Sequence, residues 1–197
     1  VTIWFTSDHH FGHANIIKYY NRPYNSVAHM NTLMEAAWNS VVEPEDLVYY
    51  LGDFAMQPKM VAEILPRLKG RKILIAGNHD KCHSGAEKWV DHYLTAGFRS
   101  IHRQLDMEIA NENVLLQHFP YRNEADPAQK HYGSRPVDRG RWLIHGHVHN
   151  RWKVLRKQIN VSVEPWNFEP VSLETIAALI QAGPVEVNLD SKPSYEE

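Results

Sequence analysis

Five short apolar runs, rich in β-branched and aromatic residues, each lead straight into polar residues along this chain. VTIWF leads into TSDHH, LVYYL into GDF, KILIA into GNHD, VLLQ into His118, and WLI into HGHVH. Runs of this length predict buried strands. Helical stripes lie between the first of them. Residues 26–41 place Val27, Met30, Leu33, Met34, Ala37, Trp38 and Val41 near three-four spacing, with Ser26 as N-cap. Residues 58–68 carry Val61, Ile64, Leu65 and Leu68 on one stripe; Pro58 is tolerated at the start, and Pro66 ends or kinks the helix. Residues 84–96 carry Trp89, Tyr93 and Leu94, with Ser84 as cap and Gly97 as stop. This alternation predicts βαβ units in the first half.

The second half reads differently. Apolar residues alternate at 101, 105, 107 and 109, a turn follows near Asn111 to Asn113, and a strand resumes. WKVLRKQINVSVE reads as a further hairpin, so this half is expected to be antiparallel. Residues 172–182 form a terminal helix ended by Gly183-Pro184, and residues 184–197 a loose polar tail. Residues 120–141 hold almost no aliphatic side chains, and a loop that long in a compact domain is functional or disordered. There is no internal repeat or low-complexity tract, and residues 1–183 read as one domain.

Composition narrows the classes. The 197 residues are 43% hydrophobic and 22% charged, as in an ordinary globular protein. A formal net charge of −2 advertises neither nucleic acid nor an anionic membrane. No apolar run reaches the ~18–20 residues of a membrane span, and the start lacks the pattern of a signal peptide. Cys82 is the single cysteine, which fits a reducing compartment and a cytoplasmic location. Six tryptophans imply a dense core or aromatic surfaces, with Trp152 and Trp166 as candidate partner contacts; oligomeric state is not readable.

Thirteen histidines change the picture most. The strand ends present Asp8 and His10, then Asp53, then Asn78 and His79, then His118, then His147 and His149. Ligands of open α/β sheets bind beyond the carboxyl ends of strands. Singly most of these motifs are weak: Gly-Asp after a strand is commonly a turn, and a lone histidine is commonly structural, whereas HGHVH is stronger because clustered histidines have few structural uses. Five such motifs at five strand ends are not weak. The donors are nitrogen and oxygen with no thiolate, a set for first-row divalent metals rather than structural zinc. If the backbone stays extended, Asp8 and His10 face one way, as do His147 and His149. Gly52, Gly77 and Gly146 let the backbone turn and come close to an ion. Asp8, His10, Asp53, Asn78, His118, His147 and His149 are too many for one tetrahedral site. They suit two adjacent metals sharing a carboxylate, and Asp53, alone on its strand, is the best bridge.

The pattern SDHH…GD…GNHD…H…GHVH resembles the calcineurin-like metallophosphoesterase superfamily. WFTSDHHFGHANII and NVSVEPWNFEPVSLETI resemble more narrowly its small phage-type and bacterial members. The resemblance implies an α/β fold of two facing mixed β-sheets flanked by helices, a four-layer sandwich. It implies that Asp8, His10 and His149 hold one metal, that Asn78, His118 and His147 hold the second, and that Asp53 bridges them. His79 is not a ligand in that pattern; it contacts phosphate and assists the leaving group. A Gly-His after the first motif makes His13 a candidate for substrate contact or ligand orientation. His145 then reads as scaffolding, and Asp80 either polarises His79 or caps the segment that follows.

The expected chemistry is hydrolysis of phosphodiesters, with phosphomonoesters as a side activity, by in-line attack of a hydroxide bridging two divalent ions. Asp53, Asn78 and His79 are the expected catalytic residues. Asn78 and His79 neutralise phosphoryl charge, and His79 protonates the leaving group. Mn²⁺ leads the candidate metals, with Fe, Zn²⁺, Ni²⁺ and Co²⁺ behind it. Arg122, four residues past His118, is a candidate phosphate contact. Arg135, Arg139, Arg141, Arg151, Lys153, Arg156 and Lys157 make a basic stretch that extends a positive field or is an ordinary solvated face. The expected partner is a small phosphate ester such as a nucleotide, not a membrane. A nuclease or nucleic-acid end-processing phosphatase is the alternative, disfavoured by the mild charge. A non-catalytic metal-binding scaffold is the third reading, opposed by the intact Asp8, Asp53, Asn78 and His79.

Overall fold

The computed structural model describes residues 1–186, which form two five-stranded sheets and five α-helices. The first sheet comprises β1 (Ile3–Thr6), β2 (Leu47–Tyr50), β3 (Arg71–Ile75), β4 (Phe98–His102) and β10 (Val171–Ser172). Its order is β10-β1-β2-β3-β4, with β1 to β4 parallel and β10 antiparallel to β1. The crossovers run through α1 (Ala14–Tyr19) and α2 (Val27–Val41), then α3 (Pro58–Ile64), then α4 (Glu87–Ala96). The βαβ reading of the first half therefore holds.

The second sheet comprises β5 (Gln104–Ile109), β6 (Glu112–Gln117), β7 (Trp142–His145), β8 (Val154–Leu155) and β9 (Gln158–Asn160), in the order β5-β6-β7-β9-β8. Its two hairpins, β5–β6 and β8–β9, are antiparallel as expected. The sheet as a whole is not: β6 pairs parallel to β7, and β7 parallel to β9. Residues 120–141 are thus a crossover rather than a hairpin loop. Burial explains the difference. Val114 to Gln117 and all of β7 are buried on both faces, the mark of central parallel strands, whereas edge strand β5 alternates.

Two apolar layers result, and β2 shows how. Val48 and Tyr50 point into a core shared with Trp38, Met34 and Phe98 beneath the helices α1–α4. Tyr49 and Leu51 point the other way, toward Ile144, Ile159 and Trp142 of the second sheet. The two sheets therefore face each other across the second layer, where Ile176 and Ile180 of α5 (Leu173–Ala182) also pack. Ser26 and Ser172 cap α2 and α5 by accepting from His29 N and Thr175 N. Pro66 falls in a 3₁₀ turn, Leu65–Arg67, that ends α3.

Other expectations are corrected. Ser84 does not cap α4; that helix starts after Ala86, and Ser84 closes a separate 3₁₀ turn. Six-residue α1 and two-residue β10 are too short to show a period. Trp152 and Trp166 are half-buried; the Trp166 indole N–H donates to Asn160 O and Lys153 covers its ring. Val185 pairs with Arg156, and the expected loose tail from 187 onward lies outside the described residues. No helix among the described residues is long and apolar enough to cross a membrane.

Candidate metal centre

The expected donors follow the carboxyl ends of β1, β2, β3, β6 and β7. Within each sheet these strands are parallel neighbours, so their outgoing turns lie side by side. The turns are laddered to one another as well: Asp8 N donates to Gly52 O at 3.0 Å, His10 N to Asp53 O at 3.1 Å, and Gly146 N to His118 O at 2.9 Å.

The backbone there is not extended. Asp8, His10, Asp53, His147 and His149 have φ of 60°, 52°, 59°, 70° and 50°. Left-handed backbone is costly for most L-residues; Asp and His are among the types that adopt it more readily. The expectation that both members of each pair converge holds, but through alternating left-handed residues rather than a strand. Convergence also needs missing side chains. A Cβ on Gly77 would sit 2.2 Å from Asp53 Oδ1, and one on Gly146 would sit 2.2 Å from Asp8 Oδ2. Both glycines are there so that a carboxylate can lie against bare backbone.

Two clusters result: Asp8, His10 and His149, and Asp53, His118 and His147. Within each, donor atoms lie within 4.8 Å of one another. Asp53 Oδ2 stands between them, 3.7 Å from His10 Nε2 and 3.4 Å from His118 Nε2. Asn78 Oδ1 lies 3.2 Å from His118 Nε2. All seven expected donors are therefore brought together: the six of the two clusters, and Asn78 beside His118.

Each carboxylate is anchored by one oxygen and presents the other. Asp8 Oδ2 accepts from His147 N and Ser162 Oγ, both at 2.9 Å, while Oδ1 faces His10 and His149 at 3.8 and 4.0 Å. Asp53 Oδ1 accepts from His79 N at 2.8 Å. The imidazoles are oriented likewise. His118 Nδ1 donates to Leu51 O at 2.7 Å and His149 Nδ1 to Glu164 Oε1 at 2.9 Å, so each presents Nε2 to its cluster.

These donor sets fit divalent cations. Asp8 Oδ1 and His10 Nε2 are buried with no hydrogen-bond partner among the described residues, an expensive arrangement in protein alone. His118 Nε2 faces two acceptors, Asp53 Oδ2 and Asn78 Oδ1, which only a proton or a cation reconciles. Burial would lower the His118 pKa, but the Asp53 carboxylate outweighs it and lifts it to about 9. Burial would raise the Asp53 carboxyl; the neighbouring imidazoles, His118 foremost, hold it well below the usual range. His10 is pushed well down by burial, toward the neutral form that ligates metal.

The remaining candidates divide. His79 is exposed at the mouth, its ring 5.2 Å from that of His10. His13 lies next in line, 5.9 Å from His10, and its Nδ1 caps α1 by accepting from Asn15 N. Arg122 is engaged inside its own loop, paired with Glu124 at 2.6 Å and lying over Tyr132. In the basic stretch, Arg141 pairs with Asp106, Lys157 donates to Gly140 O and Lys153 covers Trp166. His145 is buried behind the turn, bonded to Gly146 O. Asp80 takes neither role considered for it. Its carboxylate accepts from Gly77 N, Asp53 N and Phe54 N, tying the β2 and β3 turns together.

Several contributors escaped the sequence reading. Arg22 is buried, donates to Asp8 O and His9 O at 2.7 Å each, and pairs with Glu164 at 2.6 Å. Burial works against a charged Glu164, yet His149 and Arg22 hold its carboxyl down at about 2. Tyr20 stacks on His149 at 3.8 Å, and His131, from the long loop, lies 5.5 Å from His147. Nothing local marks these residues. Glu164 alone stood inside a stretch that carried the family resemblance.

A family model of the calcineurin-like phosphoesterase superfamily domain matches residues 2–176. The uncharacterized protein MJ1445 of Methanocaldococcus jannaschii is 38% identical over 193 residues, spanning 93% of each chain. The gene 66 protein of Mycobacterium phage L5 is 34% identical over 182 residues, 83% of this chain and 86% of that one. Among solved structures, the protein of unknown function AQ665 from Aquifex aeolicus superposes with a TM-score of 0.62 at 26% identity, covering 90% of this chain and 98% of that one. With a family match over nearly its whole length and two clusters that could hold metal, the chain belongs to the calcineurin-like phosphoesterase superfamily.

Proposed function

We propose that this protein hydrolyses phosphodiesters, with phosphomonoesters as secondary substrates, at a two-metal centre. The observation that carries the reading is Asp53 Oδ2, poised between His10 and His118 where two donor clusters meet. Asp8, His10 and His149 would hold one divalent cation, Asn78, His118 and His147 the other, and Asp53 both. Bound there, the pair would lower the pKa of a water and offset the phosphoryl charge.

The chain's own residues do the rest. Asp80 and Ser162 fix the carboxylate turns so that the donors need no rearrangement when substrate arrives. His79, exposed and held by its backbone against Asp53, delivers a proton to the departing ester oxygen. Asn78 and His79 also bear on the phosphoryl oxygens. Nitrogen and oxygen donors without thiolate support first-row divalent cations as a class; Mn²⁺ is the ion proposed first, with Fe, Zn²⁺, Ni²⁺ and Co²⁺ as alternatives. The substrate would be a small phosphate ester such as a nucleotide, and the unpaired Cys82 supports a cytoplasmic setting.

The test pairs substrates with a variant. Bis(p-nitrophenyl) phosphate should turn over faster than p-nitrophenyl phosphate with Mn²⁺, and neither with chelator present. His79→Ala should lose about 10²- to 10⁴-fold in kcat on an alkyl diester, where the leaving group needs a proton, while keeping its metal. Unchanged alkyl-ester rates would remove His79 from the mechanism. No turnover of either ester under any metal would favour the scaffold reading.

A further inference from the structure

Glu164 touches His149 without belonging to either donor cluster. Its Oε1 takes three donors: His149 Nδ1 at 2.9 Å, Arg22 Nη2 at 2.6 Å and Arg22 Nε at 3.0 Å. The Arg22 guanidinium is fully buried and Glu164 nearly so. The same guanidinium donates to Asp8 O and His9 O, in the left-handed turn that carries Asp8 and His10. One cation therefore joins the Asp8–His10 turn to Glu164, which lies 142 residues from Arg22 along the chain, and these pieces between them supply or support the whole first cluster.

We propose that Glu164, held by Arg22, is a positioning residue that orients His149 and sets the divalent-metal affinity of the Asp8–His10–His149 cluster. The inference rests on the two-metal reading above. Its physical basis is specific. An imidazole that donates Nδ1–H to a carboxylate is locked in the tautomer with a bare Nε2, and is a more basic ligand than one donating to a neutral carbonyl. His118, which donates to Leu51 O, is the neutral case within the same molecule. Tyr20 and His10 both stack on the His149 ring, at 3.8 and 5.2 Å between centroids, which sets the ring plane. Glu164 sets the rotation within that plane. Arg22 keeps the buried carboxylate charged by pairing it, since a lone buried charge is not tolerated.

The experiment is Mn²⁺ titration calorimetry on the full chain after metal removal, with Co²⁺ visible spectra of the loaded protein. In wild type, two binding steps are expected. Glu164→Gln should weaken one step by about 10- to 100-fold, leave the other unchanged, and shift the Co²⁺ d–d band. His118→Ala should weaken the opposite step. Arg22→Lys should weaken the same step as Glu164→Gln and add less in the double variant than alone, because both act through one link. If Glu164→Gln does not fold, Glu164→Asp keeps a charge for Arg22, shortens the reach to His149, and should show the same selective loss. Two normal wild-type steps that both weaken equally in these variants, or do not weaken, overturn the positioning role alone. Wild-type protein that takes up no Mn²⁺ overturns the two-metal reading with it.

Discussion

Asp53→Asn should abolish paired metal binding and lower kcat/KM on bis(p-nitrophenyl) phosphate by at least about 10²- to 10³-fold. The argument is one of charge and position. Asp53 is buried, anchored by His79 N through one oxygen, and aims the other at His10 and His118. Asparagine fills the same space and can keep the anchor. It cannot supply a negative charge to two cations at once, and their mutual repulsion is then uncompensated. Metal analysis should fall from two ions per chain to one or none, with circular dichroism unchanged. A folded Asp53→Asn protein with two bound ions and wild-type turnover would take Asp53 out of the centre.

Gly146→Ala should be the most damaging single methyl in the second sheet's turns. The added carbon would lie 2.2 Å from Asp8 Oδ2 and 2.3 Å from Ser7 Oγ. It must push Asp8 off His147 N and Ser162 Oγ, so overpacking adds to two lost bonds on a buried carboxylate. A loss of at least about 3 kcal/mol in denaturant unfolding is expected, with metal binding at the first cluster lost as well. Gly133→Ala is the control, because nothing lies within 4 Å of its added carbon. Equal stability of the two variants would mean that Asp8 is not held where the structure puts it.

The sequence carried the site further than the fold. Donors at strand ends are a local signal, since a strand of five residues is read from five residues, and parallel neighbours bring their ends together automatically. Asp8, Asp53, His118 and His147 were legible for that reason. Strand direction in the second sheet was not. Val114–Gln117 and β7 look alike whether paired parallel or antiparallel, and the choice is made by residues 120–141, which carry no period. Backbone hand was not legible either: D-x-H is compatible with a strand, and only the neighbouring turns force φ positive at Asp8 and His10. Arg22, Glu164 and Asp80 act across tens to more than a hundred residues, through atoms that no spacing rule connects. Asp80 stood inside GNHD and was read locally, as a partner for His79 or a cap for the next segment, whereas its carboxylate accepts from Gly77 N and, on the neighbouring turn, from Asp53 N and Phe54 N.

The most direct measurement is metal stoichiometry with position: elemental analysis of Mn²⁺-saturated protein, and anomalous diffraction at the manganese edge from its crystals. Two peaks are expected, one among Asp8, His10 and His149 and one among Asn78, His118 and His147, with Asp53 touching both. A single ion at saturating Mn²⁺, or two ions bound anywhere else, would contradict it.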